Sequence, residues 1–196
     1  MSGINKVGIG DVCDASVTRS SGNNAAFGIA GRYEVKCHDK EGSLKWEDSI
    51  ENLVVNTGLT ITLNGSLTNT AQGAVFMGLK GSYSVVAGTT MALLAADTTN
   101  GELIGYTVGG SAVRASPTFT AVAAGVTNIS PTAAQVFTIV TGQTVFGCFL
   151  VTGTGATNAQ RSNTGQLFSA GNFSSSKVVA PGDTLSVTYT ATGSSS

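Results

Sequence analysis

Short runs of β-branched and aromatic residues, each broken within about ten residues by a cluster of Gly, Asn, Ser or Pro, commit this chain to strands. Candidate strands are Ala74 to Leu79, Tyr83 to Ala87, Leu103 to Val108, Thr118 to Ala123, Gln135 to Val140, Thr144 to Val151, Gln166 to Ser169, Ser174 to Val179 and Thr184 to Thr190. Thr90 to Ala96 reads as a helical turn, and Thr57 is placed to cap a short helix carrying Leu59, Ile61 and Leu63. The expected class is all-β: an antiparallel, jelly-roll-like β-sandwich with at most one or two short helices.

The clearest element lies near residue 40. Tyr33, Val35 and Cys37 alternate with Arg32, Glu34 and Lys36, which is the period of a half-buried strand. Asp39-Lys40-Glu41-Gly42 then supplies a turn-starting Asp and a Gly for the left-handed position of a bulged hairpin. Leu44 and Trp46 return on the apolar face, opposite Lys45 and Glu47. At the other end Ala180-Pro181-Gly182-Asp183 is a second turn, followed by Leu185, Val187 and Tyr189 in alternation. Val145 to Val151 is apolar throughout, as in a strand covered on both faces.

Composition explains how such a fold stays wet. Charged residues are 11% of the 196, against the ~25% of ordinary domains. Residues 32–51 hold ten of the 21 charged side chains, and everything after Glu51 holds seven. Beyond the hairpin, solvation falls to the hydroxyls and amides of Thr, Ser and Asn, a surface that does not repel other copies of itself. With 41% apolar residues the chain can bury a core without metal or disulfide staples.

The formal net charge of −1 lacks the basic footprint that displaces counterions from phosphates, so no nucleic-acid partner is expected. No apolar run reaches the ~18 residues of a membrane helix, and Met-Ser-Gly-Ile-Asn-Lys is unlike a secretory leader. The expectation is synthesis in the cytoplasm and no membrane partner. Cys13, Cys37 and Cys148 are odd in number and widely spaced, giving neither a disulfide framework nor a metal pattern.

Residues 1–30 differ from the rest, with Val7, Ile9, Val12, Val17, Phe27 and Ile29 scattered among Gly, Ser, Asn and Asp. They read as an extended N-terminal arm, or as an edge strand plus a loop. An arm of this kind orders its apolar residues by adding a strand to a neighbour or lying in a groove. Val7, Ile9, Val12, Phe27 and Ile29 are therefore the candidate partner-contacting residues. The expected organisation is the arm over 1–30, a β-sandwich domain over 31–191 and a flexible tail over 192–196.

No catalytic, cofactor-binding or metal-binding residues are assigned. His38 is the one histidine, and Cys37 beside it points to the opposite strand face, which separates nucleophile from base. Glu47 and Asp48 are likewise adjacent and face apart, whereas glycoside cleavage needs both carboxyls about one bond. Ser174-x-x-Lys177 has the spacing of a lysine-activated serine but precedes a strand rather than opening a helix. Gly153-Thr154-Gly155-Ala156-Thr157-Asn158 approaches a dinucleotide loop, without its third glycine or its helix. The expected protein is not an enzyme.

Gly31 to Asp48, running into Ile50-Glu51-Asn52-Leu53-Val54, resembles the N-terminal signature of small virion proteins encoded beside the capsid genes of tailed bacteriophages. Gly147-Cys148-Phe149-Leu150, Leu167 to Phe173 and Val179 to Tyr189 are similar to that family's closing strands in the same order. The resemblance spans residues 31–191, strongest at both ends; the leader is an addition, and Thr57 to Leu63 is less helical than its counterpart. It implies a β-sandwich virion component of the capsid decoration or cement type. Such a protein sits on the capsid surface in many copies, with the major capsid protein and further copies of itself, as a dimer or trimer, for partners. A tail or fibre component that binds a host-surface receptor is the alternative, and the scarcity of exposed aromatic candidates counts against it.

Overall fold

The computed structural model describes residues 27–195. In chain order these form β1 (Phe27–His38), β2 (Leu44–Val54), α1 (Asn56–Leu67), β3 (Phe76–Lys80), α2 (Met91–Ala96), β4 (Tyr106–Thr107), β5 (Asn128–Ile129), β6 (Gln135–Ile139), β7 (Gln143–Thr152), β8 (Gln166–Val179) and β9 (Thr184–Ser195). Every ladder between strands is antiparallel, and the class is all-β with two helices, as the residue pattern implies. Hydrogen bonding runs in the order β3-β7-β8-β2-β1-β9-β6-β4, with β5 attached to β9, as one sheet curled into a half-barrel. The strands expected in two separate sheets thus belong to one continuous sheet. The join is β2, whose residues 44–52 pair with β1 while Leu53 and Val54 pair with Ala170 and Ser169 of β8.

The β1–β2 hairpin forms as its sequence dictates, except that Leu44, expected on the apolar face, is 54% exposed beside the turn. Asp39 Oδ1 accepts from the backbone N–H of Glu41 (3.0 Å) and Ser43 (2.8 Å), and Gly42 takes φ +86° to close the turn. The register shifts between Cys37 and His38, which is the bulge such a turn imposes. Tyr33, Val35 and Cys37 are buried, while Arg32, Glu34 and Lys36 lie on the outer face. Lys45 then clips this hairpin to the second turn, donating to Asp183 Oδ2 at 2.5 Å.

The concave side of the curl is the main core. Tyr33, Val35 and Cys37 of β1 meet Leu185, Val187 and Tyr189 of β9, Phe137 and Ile139 of β6, and Met77 and Leu79 of β3. Tyr33 and Tyr189 stack with ring centroids 4.7 Å apart, and the Tyr33 hydroxyl reaches Ser169 Oγ on β8 at 2.9 Å. A second cluster covers the other side of β7 and β8, where Met91, Leu94 and Ala95 of α2 pack against Phe149, Val151, Leu167 and Ala170. This is why Val145–Val151 is apolar at almost every position. The register shift between Val145 and Gly147 also changes which positions face inward, so Val145, Cys148 and Leu150 share the main core.

Several local expectations are corrected. Gln166 to Ser169 and Ser174 to Val179 are one strand, because Gly171 is a crossing point rather than a turn. A Cβ on Gly147 would strike the Gly171 carbonyl, so only glycine lets β7 and β8 approach there. Tyr83–Ala87 is irregular, since Thr89 Oγ1 takes the Val86 N–H and Ala87 O takes the Asn56 N–H, competing with any ladder. Thr118–Ala123 makes a single bridge, Phe119 to Pro131. The cap residue of α1 is Val55, not Thr57, whose hydroxyl instead donates to Leu167 O at 2.6 Å and ties the helix to β8.

The boundaries at both ends also move. Phe27–Ala30, assigned to the arm by sequence, pair with Ser195–Thr192 and belong to β1. The stretch 192–195, expected as a tail, is the matching end of β9. Its Thr, Gly and Ser side chains give no apolar signal, and the backbone ladder alone holds it.

Candidate functional site

The residues that sequence reasoning weighed for chemistry are kept apart. Cys37 is buried, its thiol pushed up to about 11 by burial, and its Sγ lies 3.9 Å from the His38 carbonyl oxygen rather than near the imidazole. Cys148 is deeper and pushed up to about 12 by burial, and neither thiol is in a disulfide. Such thiols are protonated and poor nucleophiles. Cys13 lies outside the described residues.

Glu47 and Asp48 separate as adjacent strand residues must. Glu47 reaches Lys36 on the outer face at 3.9 Å, whereas Asp48 accepts from Lys177 at 3.0 Å and from Ser174 Oγ at 2.9 Å. Burial opposes the Asp48 charge, but these hydrogen bonds outweigh it and hold the carboxyl below its ordinary range. Lys177 also lies over the Trp46 ring, 5.5 Å from its centre. The Ser-x-x-Lys spacing therefore serves an ion pair that fastens β8 to β2. A lysine engaged this way does not activate a serine.

Gly153–Asn158 is structural too. Arg114, fully buried, donates from Nη1 to Thr157 O (3.2 Å), and its backbone N–H donates to Asn158 O (2.7 Å). The same guanidinium grips Glu102 and lies 5.5 Å from the centre of the Phe149 ring. Lys80 is the other deeply buried cation, donating to Gly81 O (2.9 Å) and Asn172 Oδ1 (2.5 Å). Burial lowers its pKa to about 8. Among the described residues no cluster of His, Cys, Asp and Glu is arranged to hold a metal ion, and no helix is long and apolar enough to cross a membrane.

Two surfaces remain. The first is the outer face of β2, β1 and β9, where Glu51, Ser49 and Glu47 run beside Arg32, Glu34 and Lys36, and these beside Thr190, Thr188 and Ser186. Four of its five charges pair, Arg32 with Glu34 at 3.6 Å and Lys36 with Glu47 at 3.9 Å, which leaves Glu51 as a single net negative charge. The second is an apolar groove of about 380 Å³ where the curl opens beneath α1. Ile61 of α1, Val75, Phe119, Ile129, Phe168 and Ala191 line it, and among the described residues no charged side chain does. Sequence reasoning missed this groove, because its walls come from segments up to 130 residues apart, Ile61 to Ala191.

Of the five candidate partner-contacting residues, Ile29 is half-buried on β1 opposite Gly193, and Phe27 pairs through its backbone with Ser195. Val7, Ile9 and Val12 lie outside the described residues. Comparison with family models, with curated proteins and with solved structures finds no match to this chain.

Proposed function

We propose that this chain is a non-enzymatic structural protein of a phage particle, of the capsid decoration or cement type. The observation that carries the reading is the outer face of β1, β2 and β9, a broad strand surface of hydroxyls and mostly paired charges with one net negative charge. A face of this kind packs against many identical neighbours with little repulsion, and its weak contacts gain strength by repetition. The resemblance of residues 31–54 and 147–189 to phage virion proteins points the same way.

The mechanism asks for no chemistry. A protein that binds the assembled shell and not its dissociated parts stabilises the shell by mass action. In this reading the chain sits on the capsid surface against the major capsid protein and other copies of itself.

The deciding experiment is the number of copies per purified particle, by quantitative mass spectrometry against the major capsid protein. Hundreds of copies fit a lattice position and cementing. Between about three and a dozen copies, as symmetry allows at a tail or single vertex, would replace this reading with a receptor-binding tail or fibre component.

A further inference from the structure

We propose that the groove beneath α1 is the docking site for the chain's own N-terminal segment, residues 4–17, with Val7 and Ile9 seated on its apolar floor. The inference goes beyond the decoration reading and holds whether or not the protein binds a shell.

Reach is the first argument. Ala191, on the groove wall, pairs with Gly31, so the chain entering β1 at Phe27 lies four residues further along the ladder. That is about 14 Å at strand rise. Residues 18–26, Thr-Arg-Ser-Ser-Gly-Asn-Asn-Ala-Ala, form a small, polar connection of nine residues. Nine residues can reach at most about 30 Å, more than the return path requires.

Chemistry is the second argument. Val7 and Ile9 stand two apart and share one face of an extended segment, with Val12 following. The groove offers about 380 Å³ walled by aliphatic and aromatic side chains, within the ~300–1,000 Å³ range of sites that seat small apolar ligands. Its rim residues Thr62, Ser66 and Gln72 are polar and uncharged, leaving Asp11 and Asp14 free to stay in water.

Linkage in one chain is the third. Tethered by nine residues, the segment meets the groove at an effective concentration on the order of millimolar, far above that of a second copy in dilute solution. The occupant is therefore the same chain.

Cys13, next to Val12, makes the test direct. In the full chain, Ser66→Cys places a thiol at the groove rim, and Thr192→Cys places one beside Ala191 but on the outer face. Both positions are exposed, so neither change threatens the fold. Each variant is treated with a short bismaleimide at low protein concentration and mapped by peptide mass spectrometry. The expected result is an intrachain link from Cys13 to the thiol at position 66, roughly tenfold more abundant than to the one at 192. Adding Val7→Asp and Ile9→Asp should bring the yield down to the control level. Equal yields at the two positions would overturn the proposal. So would a product linked mainly between chains, which would assign the groove to a second copy.

Discussion

Arg114 and Glu102 face each other as a two-pronged pair inside the protein, Nε to Oε1 at 2.8 Å and Nη2 to Oε2 at 2.6 Å, with neither side chain reaching solvent. The pair does more than neutralise itself. Arg114 Nη2 also holds Ser162 O at 2.8 Å, and Glu102 Oε2 also accepts the Arg161 N–H at 2.8 Å, where the backbone turns through φ +57°. Two long loops are thus fastened to each other and to β7 through one ion pair.

Removing one member should be severe. Arg114→Met leaves a buried carboxylate without its cation and is expected to cost about 3–5 kcal/mol, read from the urea midpoint at constant slope. The double variant Arg114→Met with Glu102→Leu should recover part of that loss, since no isolated charge remains. It will not recover all, because the carbonyls of Thr157 and Ser162 and the Arg161 N–H stay without partners. A double variant no better than the single one would show that the hydrogen bonds, not the charges, matter most.

Lys80 gives the protein an alkaline signature. Burial lowers its pKa from 10.5 to about 8, so between those values the unfolded chain binds more protons than the folded one, and stability rises with pH. The two buried thiols act in the opposite sense. Cys37 and Cys148 are raised from 9.0 to about 11 and about 12, so the unfolded chain alone loses those protons above pH 9, and stability falls. Denaturation midpoints should climb from pH 8 to pH 9 and decline beyond. In Lys80→Met the climb should vanish and the decline remain, a difference of order 1–3 kcal/mol across the range.

Acid should loosen the clip between the two turns. Burial works against the Asp183 charge, but hydrogen bonds from Lys45 and the Ala180 N–H (2.8 Å) outweigh it and hold the carboxyl below its ordinary range. Its contribution is therefore complete above the unfolded value near 3.9 and is lost as pH falls through the lower folded one. Asp183→Asn should cost about 1–3 kcal/mol at pH 7. The gap from the parent should narrow as pH falls below that unfolded value, as followed by the fluorescence of Trp46.

Truncation distinguishes the leader from the sheet. Deleting residues 1–26 leaves β1 whole and should preserve the fold; on the decoration reading proposed above it should also weaken attachment to heads. Deleting 1–30 also removes the ladder partners of Thr192–Ser195 and should lower the thermal midpoint further. If the shorter deletion bound purified heads as well as the full chain, the leader would have no part in attachment.

The parts of the fold readable from sequence are those whose signal is local. The hairpin declares itself because Asp39, Gly42 and the alternation from Arg32 to Glu47 lie within a few residues of one another. β9 was readable only to Thr190, because Ala191–Ser195 have no apolar alternation and are held by pairing with β1. The stretch between β3 and β6 was read least well. Its conformation is set by contacts that no short window contains, such as Arg114 with Asn158 and Met77 with Ala115. The groove was invisible for the same reason. Phe119 and Val75 looked like strand residues, and only the curl turns them into a wall.

The pairing of β1 with β9 has a consequence for how the protein is made. Residues 27–38 are matched one for one with 195–184, so the first strand of the described residues has its longest partner in the last. The hairpin with β2 forms early, but one edge of β1 must wait, open, through the synthesis of some 150 further residues. Contacts so distant along the chain make folding slow, in the millisecond-to-second range typical of all-β topologies. During translation that waiting edge, rather than any finished surface, is where the nascent chain is most exposed to wrong pairing with its neighbours.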